Sequence, residues 1–349
     1  WEELIERCQE AGVDAFEINF SCPHGMPERR MGMAMGQDCE LLHEVCGWIN
    51  AKSTIPVWAK MTPNVTDISM PARTALAAGC EGIAAINTIT SVMGINLDTL
   101  RPEPCVEGHT TPGGYSSRAV KPIALAKCMS IAQMMRHDFP HSAASLSGLG
   151  GVNTGRDAAE FILLGSNTVQ VCTGVMLYGY PLIKKLCGGL QAFMQQHDFA
   201  SVEQFRGASL PYFTTHHELV RMQREAVEAK KKARVGLAKD DEWIGARRCR
   251  RTFRCRARQD DVLANEPEIK LVNGAVTSGP SLAVEVNGLK LPNPFVIGSG
   301  PPGTNYAVMK KAFEEGWGAV IAKTVSLDSS KVINVTPRYA KMKSSDGKE

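Results

Sequence analysis

The sequence has 349 residues, a net charge of +3 and 44% hydrophobic residues, which suffices for one α/β barrel with appendages or for two ordinary domains. So small a charge, without a basic stripe that contains aromatic residues, does not favour nucleic-acid binding, and no apolar run reaches the length of a membrane span. The 11 cysteines include no Cys-x-x-Cys pair. This argues against a disulfide framework, a zinc site or an iron–sulfur ligand set, and it favours a reduced, intracellular protein.

The first part of the chain predicts a parallel α/β architecture. It begins inside an expected helix, Trp1–Ala11, without an initiator methionine, so we expect a fragment. Expected strands and helices then alternate up to about Gly189, as in parallel α/β proteins. The expected strands are Ala15–Phe20, Pro56–Met61, Gly82–Asn87, Ala143–Ser147 and Thr168–Cys172. The expected helices are Glu40–Asn50, Met70–Gly79, Ala119–His137 and Gly155–Leu164.

The middle of the chain contains a long loop, further helices and a linker. The Gly-rich loop Thr88–Ser117 is the best candidate for a lid over a site. After Pro181 the helical segments are Ile183–Gln196, Val202–Phe205 and Glu218–Lys232. Residues 246–258 are rich in arginine and free of acids, like the end of an organellar transit peptide. An ordinary basic linker fits this composition equally well.

The last part of the chain predicts two further strands. Leu282–Val286 and Leu289–Leu291 flank Asn287-Gly288, the dipeptide of a tight type I′ hairpin. Strand Phe295–Ser299, helix Asn305–Glu315 and strand Ala319–Lys323 follow, and the tail from Lys341 is polar and without a pattern. The sequence therefore contains seven barrel-type strands, one short of eight.

The strand near the amino terminus carries one polar face. Side chains alternate along a strand, so Glu17, Asn19 and Ser21 share a face. Cys22 leaves the end of the strand, because Pro23 has no N–H to donate to a neighbouring strand. Two interpretations stay open: a strand that faces a ligand with a reactive cysteine at its tip, or an edge strand with an unreactive thiol.

Polar side chains also end several other expected strands. Lys60 lies at the end of one strand, Asn87 with Thr88 at the end of a second, Ser299 at the end of a third and Lys323 with Thr324 at the end of a fourth. Catalytic and ligand-binding groups of an α/β barrel lie at the carboxyl ends of its strands. The set indicates a site more strongly than any one lysine does.

Two consecutive strand-to-helix loops have the features of a phosphate site. Gly150-Gly151-Val152 precedes a helix whose start is capped by Asn153 or Thr154, and Cys172-Thr173-Gly174 follows the next strand. A barrel phosphate site is normally formed by the loops after its last two strands. Here these loops follow the fourth and fifth strands. They become the last pair only if the segment from Leu282 onward is placed before Trp1.

The fold class predicted is thus a circularly permuted TIM barrel that lacks one strand–helix unit, with a small hairpin and a helical appendage. Residues 1–189 form barrel strands four to eight, and 190–233 form the helical appendage. Residues 234–280 form a flexible Arg-rich linker, and 281–343 contain the hairpin and the first two barrel strands.

Seven short stretches, all at strand ends or turns, carry a resemblance to a known family. They are Asn19-Phe20-Ser21-Cys22-Pro23-His24-Gly25, Ala59-Lys60-Met61-Thr62-Pro63-Asn64, Ala85-Ile86-Asn87-Thr88, Gly150-Gly151-Val152, Gln170-Val171-Cys172-Thr173-Gly174, Asn293-Pro294-Phe295 and Ala322-Lys323-Thr324. At these positions the chain resembles the dihydroorotate dehydrogenase group of flavin barrels, and within it the dihydropyrimidine dehydrogenases of plant plastids. The resemblance covers nearly all of 1–245 and 281–343.

The resemblance implies FMN in the barrel mouth. Its isoalloxazine and ribityl parts would contact Ser299, Lys323, Thr324 and Lys60. Its phosphate would be held by Gly150, Gly151, Val152, Cys172 and Thr173. The pyrimidine would be bound by Asn19, Ser21, Asn87 and Thr88, since a carboxamide can both donate to and accept from a uracil edge.

The resemblance also implies a reaction, the reduction of uracil or thymine with NADPH in pyrimidine catabolism. Hydride would pass from FMN to C6, Cys22 would protonate C5 as general acid, and Lys60 would stabilise the anionic reduced flavin. We expect a plastid location, or otherwise the cytoplasm, with no nucleic-acid or membrane partner and no metal; a homodimer is left open.

Two departures from the family leave alternatives. The missing strand–helix unit would hold another substrate asparagine, and no cluster-binding cysteines or dinucleotide motif show how NADPH would reach the flavin. A dihydroorotate-oxidising barrel and an inactive permuted remnant, with two exposed sheet edges, therefore remain open.

Overall fold

The structure is a computed structural model, and it describes residues 1–22, 30–233, 263–327 and 340. The Arg-rich segment 246–258 and the tail from 341 lie outside these residues.

The strands are β1 Phe16–Asn19, β2 Val57–Lys60, β3 Gly82–Ala85, β4 Ile89–Ser91, β5 Gly94–Asn96, β6 Arg101–Glu103, β7 Gly113–Tyr115, β8 Ser145–Leu149, β9 Thr168–Val171, β10 Leu271–Val272, β11 Ala275–Val276, β12 Val284–Val286, β13 Leu289–Leu291, β14 Phe295–Ile297 and β15 Ala319–Val320. The helices are α1 Glu2–Glu10, α2 Met33–Gln37, α3 Cys39–Lys52, α4 Ser69–Ala77, α5 Lys121–Asp138, α6 Gly155–Leu163, α7 Thr173–Tyr178, α8 Leu182–Gln196, α9 His216–Ala233 and α10 Tyr306–Glu315.

One parallel sheet of seven strands organises the molecule, in the order β1-β2-β3-β8-β9-β14-β15. Strand β14 pairs with β9, with Phe295 opposite Val169 and Ile297 opposite Val171. The last part of the chain thus extends the sheet begun by the first part. This ladder confirms the predicted permutation.

The two ends of the sheet are β1 and β15. Within the described ranges no ladder joins them, which agrees with the predicted gap of one strand. The sheet nevertheless curls, since a side chain of β9 donates a hydrogen bond to one of β1, four places away in the sheet.

The helices lie outside the sheet and bury one apolar side against it. In α3, the positions Leu42, Val45, Cys46 and Ile49 are buried at the three- and four-residue spacing of one helix face. The start of α3 is fixed by Asp38, whose carboxylate accepts from the backbone N–H of Leu41. None of the helices described is long and apolar enough to cross a membrane.

The hairpin β12–β13 closes the end of the barrel where the strands begin. Asn287 and Gly288 have φ angles of 48° and 81°, as a type I′ turn requires, so the predicted hairpin is confirmed. The Asn287 carbonyl oxygen accepts from Trp58 Nε1 at 2.8 Å and Ser145 Oγ at 2.6 Å. Its amide nitrogen donates to the backbone oxygens of Glu81 and Ala143.

Residues 263–280 fall within the predicted linker, and the structure shows them packed against the barrel helices. Leu263 is buried, and strands β10 and β11 form a small hairpin. The glycine pair Gly188 and Gly189 in α8 makes the close approach possible, because a Cβ at either position would overlap Pro267 or Glu266. These apolar contacts are not periodic, so the sequence pattern did not reveal them.

The predicted lid, Thr88–Ser117, contains two short antiparallel pairs, β4 with β7 and β5 with β6. These strands have three residues each, too few for an alternation pattern to be recognised in the sequence.

Candidate active site

Two lysines from distant parts of the chain lie near enough to one thiol to influence it electrostatically. Cys172 follows β9, and burial raises the pKa of its thiol while the charges of Lys60 and Lys323 act in the opposite direction. The strand-end turn at Gly300 also touches this thiol, because a Cβ on Gly300 would overlap Cys172 Sγ. The structure therefore brings the ends of β2, β9, β14 and β15 together at one mouth.

Three buried polar side chains, Lys60, Glu17 and Gln170, are joined by hydrogen bonds across the barrel interior at this mouth. Lys60 Nζ donates to Glu17 Oε1 at 3.0 Å, and the two side chains are only 5% and 3% exposed. Gln170 Nε2 donates to the other Glu17 oxygen. The remaining polar atom, Gln170 Oε1, is buried without a hydrogen-bond partner beside Gly298, where a Cβ would lie 3.2 Å from it.

The sequence identified Lys60 but missed Glu17 and Gln170 as site residues. The available signal was the strand alternation: Glu17 shares its face with Asn19 and Ser21, and Gln170 shares its face with Thr168 and Cys172. What the sequence could not supply was the curl of the sheet that brings β9 within reach of β1.

The predicted substrate residues form a small network at the ends of β1 and β3. The Asn19 carbonyl oxygen accepts from Ser21 N at 3.1 Å and from Ser21 Oγ at 2.8 Å. Asn87 Nδ2 donates to the Ser21 backbone oxygen at 2.9 Å. These contacts leave the Asn19 amide nitrogen as a donor, and the Asn87 amide oxygen as an acceptor, without a partner among the described residues.

Thr88 and Cys22 lie beside this network. The Thr88 side chain packs so closely on Gly114 of β7 that a Cβ there would overlap it. Cys22 is a half-buried free cysteine whose backbone oxygen accepts from Met33 N at 3.0 Å. The rest of its predicted motif, Pro23 to Gly25, lies outside the described residues.

The two predicted phosphate loops are adjacent. Gly150 and Gly151 have φ angles of 138° and 74°, a conformation that favours glycine. The Asn153 side chain reaches from the first loop to the second, where a Cβ on Gly174 would lie 2.9 Å from its carbonyl oxygen. Asn153 is 2% exposed, and its amide nitrogen has no hydrogen-bond partner in the part of the chain that the structure describes. An unpaired buried donor between two loops suits an anionic oxygen.

Some backbone N–H groups at the start of α6, the helix that follows the first loop, already have a hydrogen-bond acceptor within the protein. Asp157 Oδ2 accepts from the backbone N–H groups of Asn153 and Thr154, at 3.1 and 3.0 Å. Thr154 in turn caps Asp157 N, which completes a capping box. Lys121 neutralises the Asp157 carboxylate. The predicted donors Gly150, Gly151 and Val152 are not consumed by this arrangement.

The remaining predicted residues lie around the end of β15. Ser299 Oγ donates to the Ala322 backbone oxygen at 3.2 Å, and Lys323 N donates to Gly303 O at 2.8 Å. The side chains of Lys323 and Thr324 are exposed. Thr173, in the second phosphate loop, shares a 3.1 Å hydrogen bond with Ser116 at the end of the long loop.

Together, the parallel sheet, the buried lysine and the paired glycine loops define an α/β barrel with a candidate ligand site at its mouth. The family model described as "Dihydroorotate dehydrogenase" matches residues 1–194, more than half of the chain. The chain belongs to the dihydroorotate dehydrogenase family.

Two curated relatives are named as dihydropyrimidine dehydrogenases. The chain is 69% identical over 245 residues to the chloroplastic dihydropyrimidine dehydrogenase (NADP(+)) of Arabidopsis thaliana, a match that covers 70% of this chain and 57% of that protein. It is 44% identical over 211 residues to the NAD-dependent dihydropyrimidine dehydrogenase subunit PreA of Escherichia coli K12, covering 59% and 49%. The chain thus spans about half the length of these relatives.

A solved structure of DHODH from Eimeria tenella, in complex with ferulenol, aligns with 60% of this chain and 58% of its own. The TM-score is 0.47 and the sequence identity 21%.

Proposed function

We propose that this chain binds FMN at the barrel mouth and reduces the 5,6 double bond of uracil or thymine, with NADPH as the electron donor. The observation that carries the proposal is the orientation of two carboxamides. Among the described residues, Asn19 presents a donor and Asn87 an acceptor without a partner, because Ser21 uses their other ends. A neighbouring carbonyl and N–H on a uracil edge require this combination of donor and acceptor.

The residues at the mouth fit FMN in three places. Asn153 Nδ2, with the N–H groups of Gly150, Gly151 and Val152 and with Cys172 and Thr173, would hold the phosphate. Ser299, Lys323 and Thr324 would line the ribityl and ring side. Lys60 would lie against the N1–C2 carbonyl region, where its ammonium group attracts negative charge.

The chain's own part of the reaction is binding, orientation and proton transfer. When bound, FMN supplies a hydride to C6 of the pyrimidine. Asn19 and Asn87 hold the ring edge, Ser21 fixes their orientation, and Thr88 lies beside them under the long loop. Cys22 then gives its thiol proton to C5, so the double bond gains one hydride and one proton.

The proposed location is the plastid. The name of the Arabidopsis relative supports it, as does the Arg-rich composition of residues 246–258.

The proposal is tested on the purified full chain in two stages. FMN is first titrated by absorbance and fluorescence; we expect one FMN per chain and no iron by metal analysis. Flavin-free protein that takes up no added FMN would refute the cofactor and leave the inactive remnant as the better description.

The second stage reduces the bound flavin anaerobically and adds uracil, thymine or orotate. Reoxidation by the two pyrimidines, and not by orotate, is expected. Reoxidation by orotate alone would instead favour the dihydroorotate reaction. A parallel assay with NADPH asks whether the chain accepts electrons from it directly.

A further inference from the structure

Glu17 is a buried carboxylate to which neither the sequence motifs nor the proposed reaction gives a role. It lies on β1, with one oxygen 3.0 Å from Lys60 Nζ and the other accepting from Gln170. Of the two strands that hold these partners, β2 is next to β1 in the sheet, whereas β9 is four places away and is brought near by the curl of the sheet. The carboxylate is therefore fixed from both sides.

The Lys60–Glu17 ion pair is chemically significant because water is excluded from it. Both side chains are nearly inaccessible, at 5% and 3% exposure, and charges interact strongly when water is excluded. A carboxylate 3.0 Å from the ammonium group cancels much of its field at a third group nearby. It also restricts the directions in which the ammonium hydrogens can point.

We propose that Glu17 is a positioning residue that holds Lys60 and lowers the effective positive charge it presents to the flavin ring, with Gln170 fixing Glu17. This inference rests on the proposed FMN site. Glu17 touches neither flavin nor pyrimidine in this scheme; it acts through Lys60.

The variant Glu17→Gln separates charge from shape. The new amide is isosteric, its oxygen can still accept from Lys60, and its nitrogen can donate to Gln170 Oε1. That oxygen has no partner in the native arrangement, so a rotation of the Gln170 amide restores every hydrogen bond. The change therefore removes one negative charge while keeping the number of hydrogen bonds, and it leaves the buried Lys60 ammonium group without its counter-ion.

The readout is the affinity of oxidised, FMN-bound protein for sulfite. Sulfite donates its sulfur lone pair to flavin N5, and the displaced ring electron pair becomes negative charge at N1–C2=O. A nearby cation that is not neutralised tightens this adduct. We expect Glu17→Gln to lower the sulfite dissociation constant at least tenfold, with the FMN dissociation constant within threefold of wild type.

Two further variants make the test specific. Glu17→Asp keeps the charge and should keep a sulfite constant close to wild type. Lys60→Met should weaken sulfite binding at least tenfold. Glu17→Gln added to Lys60→Met should change the sulfite constant much less than it does in the native chain, since there is then no ammonium group for Glu17 to hold in place.

Each outcome has one meaning. If FMN binds but Glu17→Gln leaves the sulfite constant unchanged, or shifts it equally in the Lys60→Met background, this inference is wrong while the proposed function stands. If wild-type protein takes up no FMN, the proposed function itself fails and takes this inference with it. If Glu17→Gln alone does not fold, Lys60→Met decides: a sulfite constant equal to that of wild type would mean that Lys60 presents no charge to the flavin for Glu17 to lower, and this inference is wrong.

Discussion

The two ends of the barrel treat buried polar groups differently. At the end where the strands begin, Asn287 uses both amide hydrogens and its carbonyl oxygen to join the hairpin to β2, β3 and β8. At the mouth, Asn153 and Gln170 each keep one buried polar atom without a partner. An unpaired buried polar group costs free energy. Ser166 Oγ, before β9, is also unpaired among the described residues, so it is the position of Asn153 between the two glycine loops that points to a ligand at the mouth.

This difference matches the usual division of a barrel, in which one face supplies stability and the other supplies the site. It also gives a way to test the assignment: changes at the hairpin end should reduce the free energy of unfolding and leave ligand binding intact. Changes at the mouth should weaken ligand binding and leave the free energy of unfolding nearly unchanged.

The largest effect is expected at Cys22. Cys22→Ala removes the proposed proton donor without touching the phosphate loops, so pyrimidine reduction should fall about 10²–10⁴-fold while FMN binding is unchanged. Cys22→Ser should also be slow, because a hydroxyl is a much weaker acid than a thiol. Rates are measured by reoxidation of reduced flavin with uracil.

Cys39→Ala is the matched control, since Cys39 is also a half-buried free cysteine. Its rate should equal wild type. Wild-type turnover in Cys22→Ala would assign the proton transfer to another residue.

At the opposite end, Asn287→Ala should destabilise the chain by about 2 kcal/mol, because it leaves the donors of two buried side chains, Trp58 and Ser145, unpaired. Denaturant unfolding measures this loss, and FMN affinity should remain within about twofold of wild type. Asn287→Gly tests the turn separately, since glycine also accepts the φ of 48° but restores no hydrogen bond. If Asn287→Ala lost FMN affinity in proportion to its loss of stability, the separation of stability and ligand binding between the two ends of the barrel would be wrong.

At the mouth, Asn153→Leu replaces a buried amide whose nitrogen has no partner. Unfolding of the flavin-free protein should change by less than about 1 kcal/mol, because no protein hydrogen bond of this nitrogen is lost. FMN affinity should fall about tenfold, near the 1.4 kcal/mol of one charge-assisted hydrogen bond.

Riboflavin provides the control for Asn153, since it lacks the phosphate. Its affinity should be the same for wild type and Asn153→Leu. Equal losses for FMN and riboflavin would remove Asn153 from the phosphate site.

Residues that end strands were predictable, whereas contacts across the barrel were not. Lys60 and Lys323 could be placed at one mouth because parallel strands present their carboxyl ends together, and the ladder between β14 and β9 agrees. Glu17 and Gln170 depend on how far the sheet curls, which alternation does not determine. The packing of residues 263–280 depends on the glycine pair in α8, which has no periodic signature.

The smallest effect is expected at Glu266, in the segment that packs on α8. The pKa of this carboxyl is raised to about 7, chiefly by burial; Arg156 and Lys185 act to lower the pKa, and Asp157 acts to raise it. One oxygen is buried without a partner. The folded state thus favours the protonated acid, whose ordinary pKa is 4.5. Its contribution to stability is complete below that value and is lost as the pH rises through about 7.

Glu266→Gln removes this titration while keeping the shape of the side chain. The two proteins should have similar stability near pH 5, and the variant should be more stable at pH 8 by on the order of 1 kcal/mol. Denaturant unfolding across this pH range provides the measurement, and Glu268→Gln, an exposed neighbour, should show the wild-type slope. A wild-type pH slope in Glu266→Gln would mean that Glu266 is ionised in the folded chain, and that residues 263–280 tolerate its charge at the glycine pair.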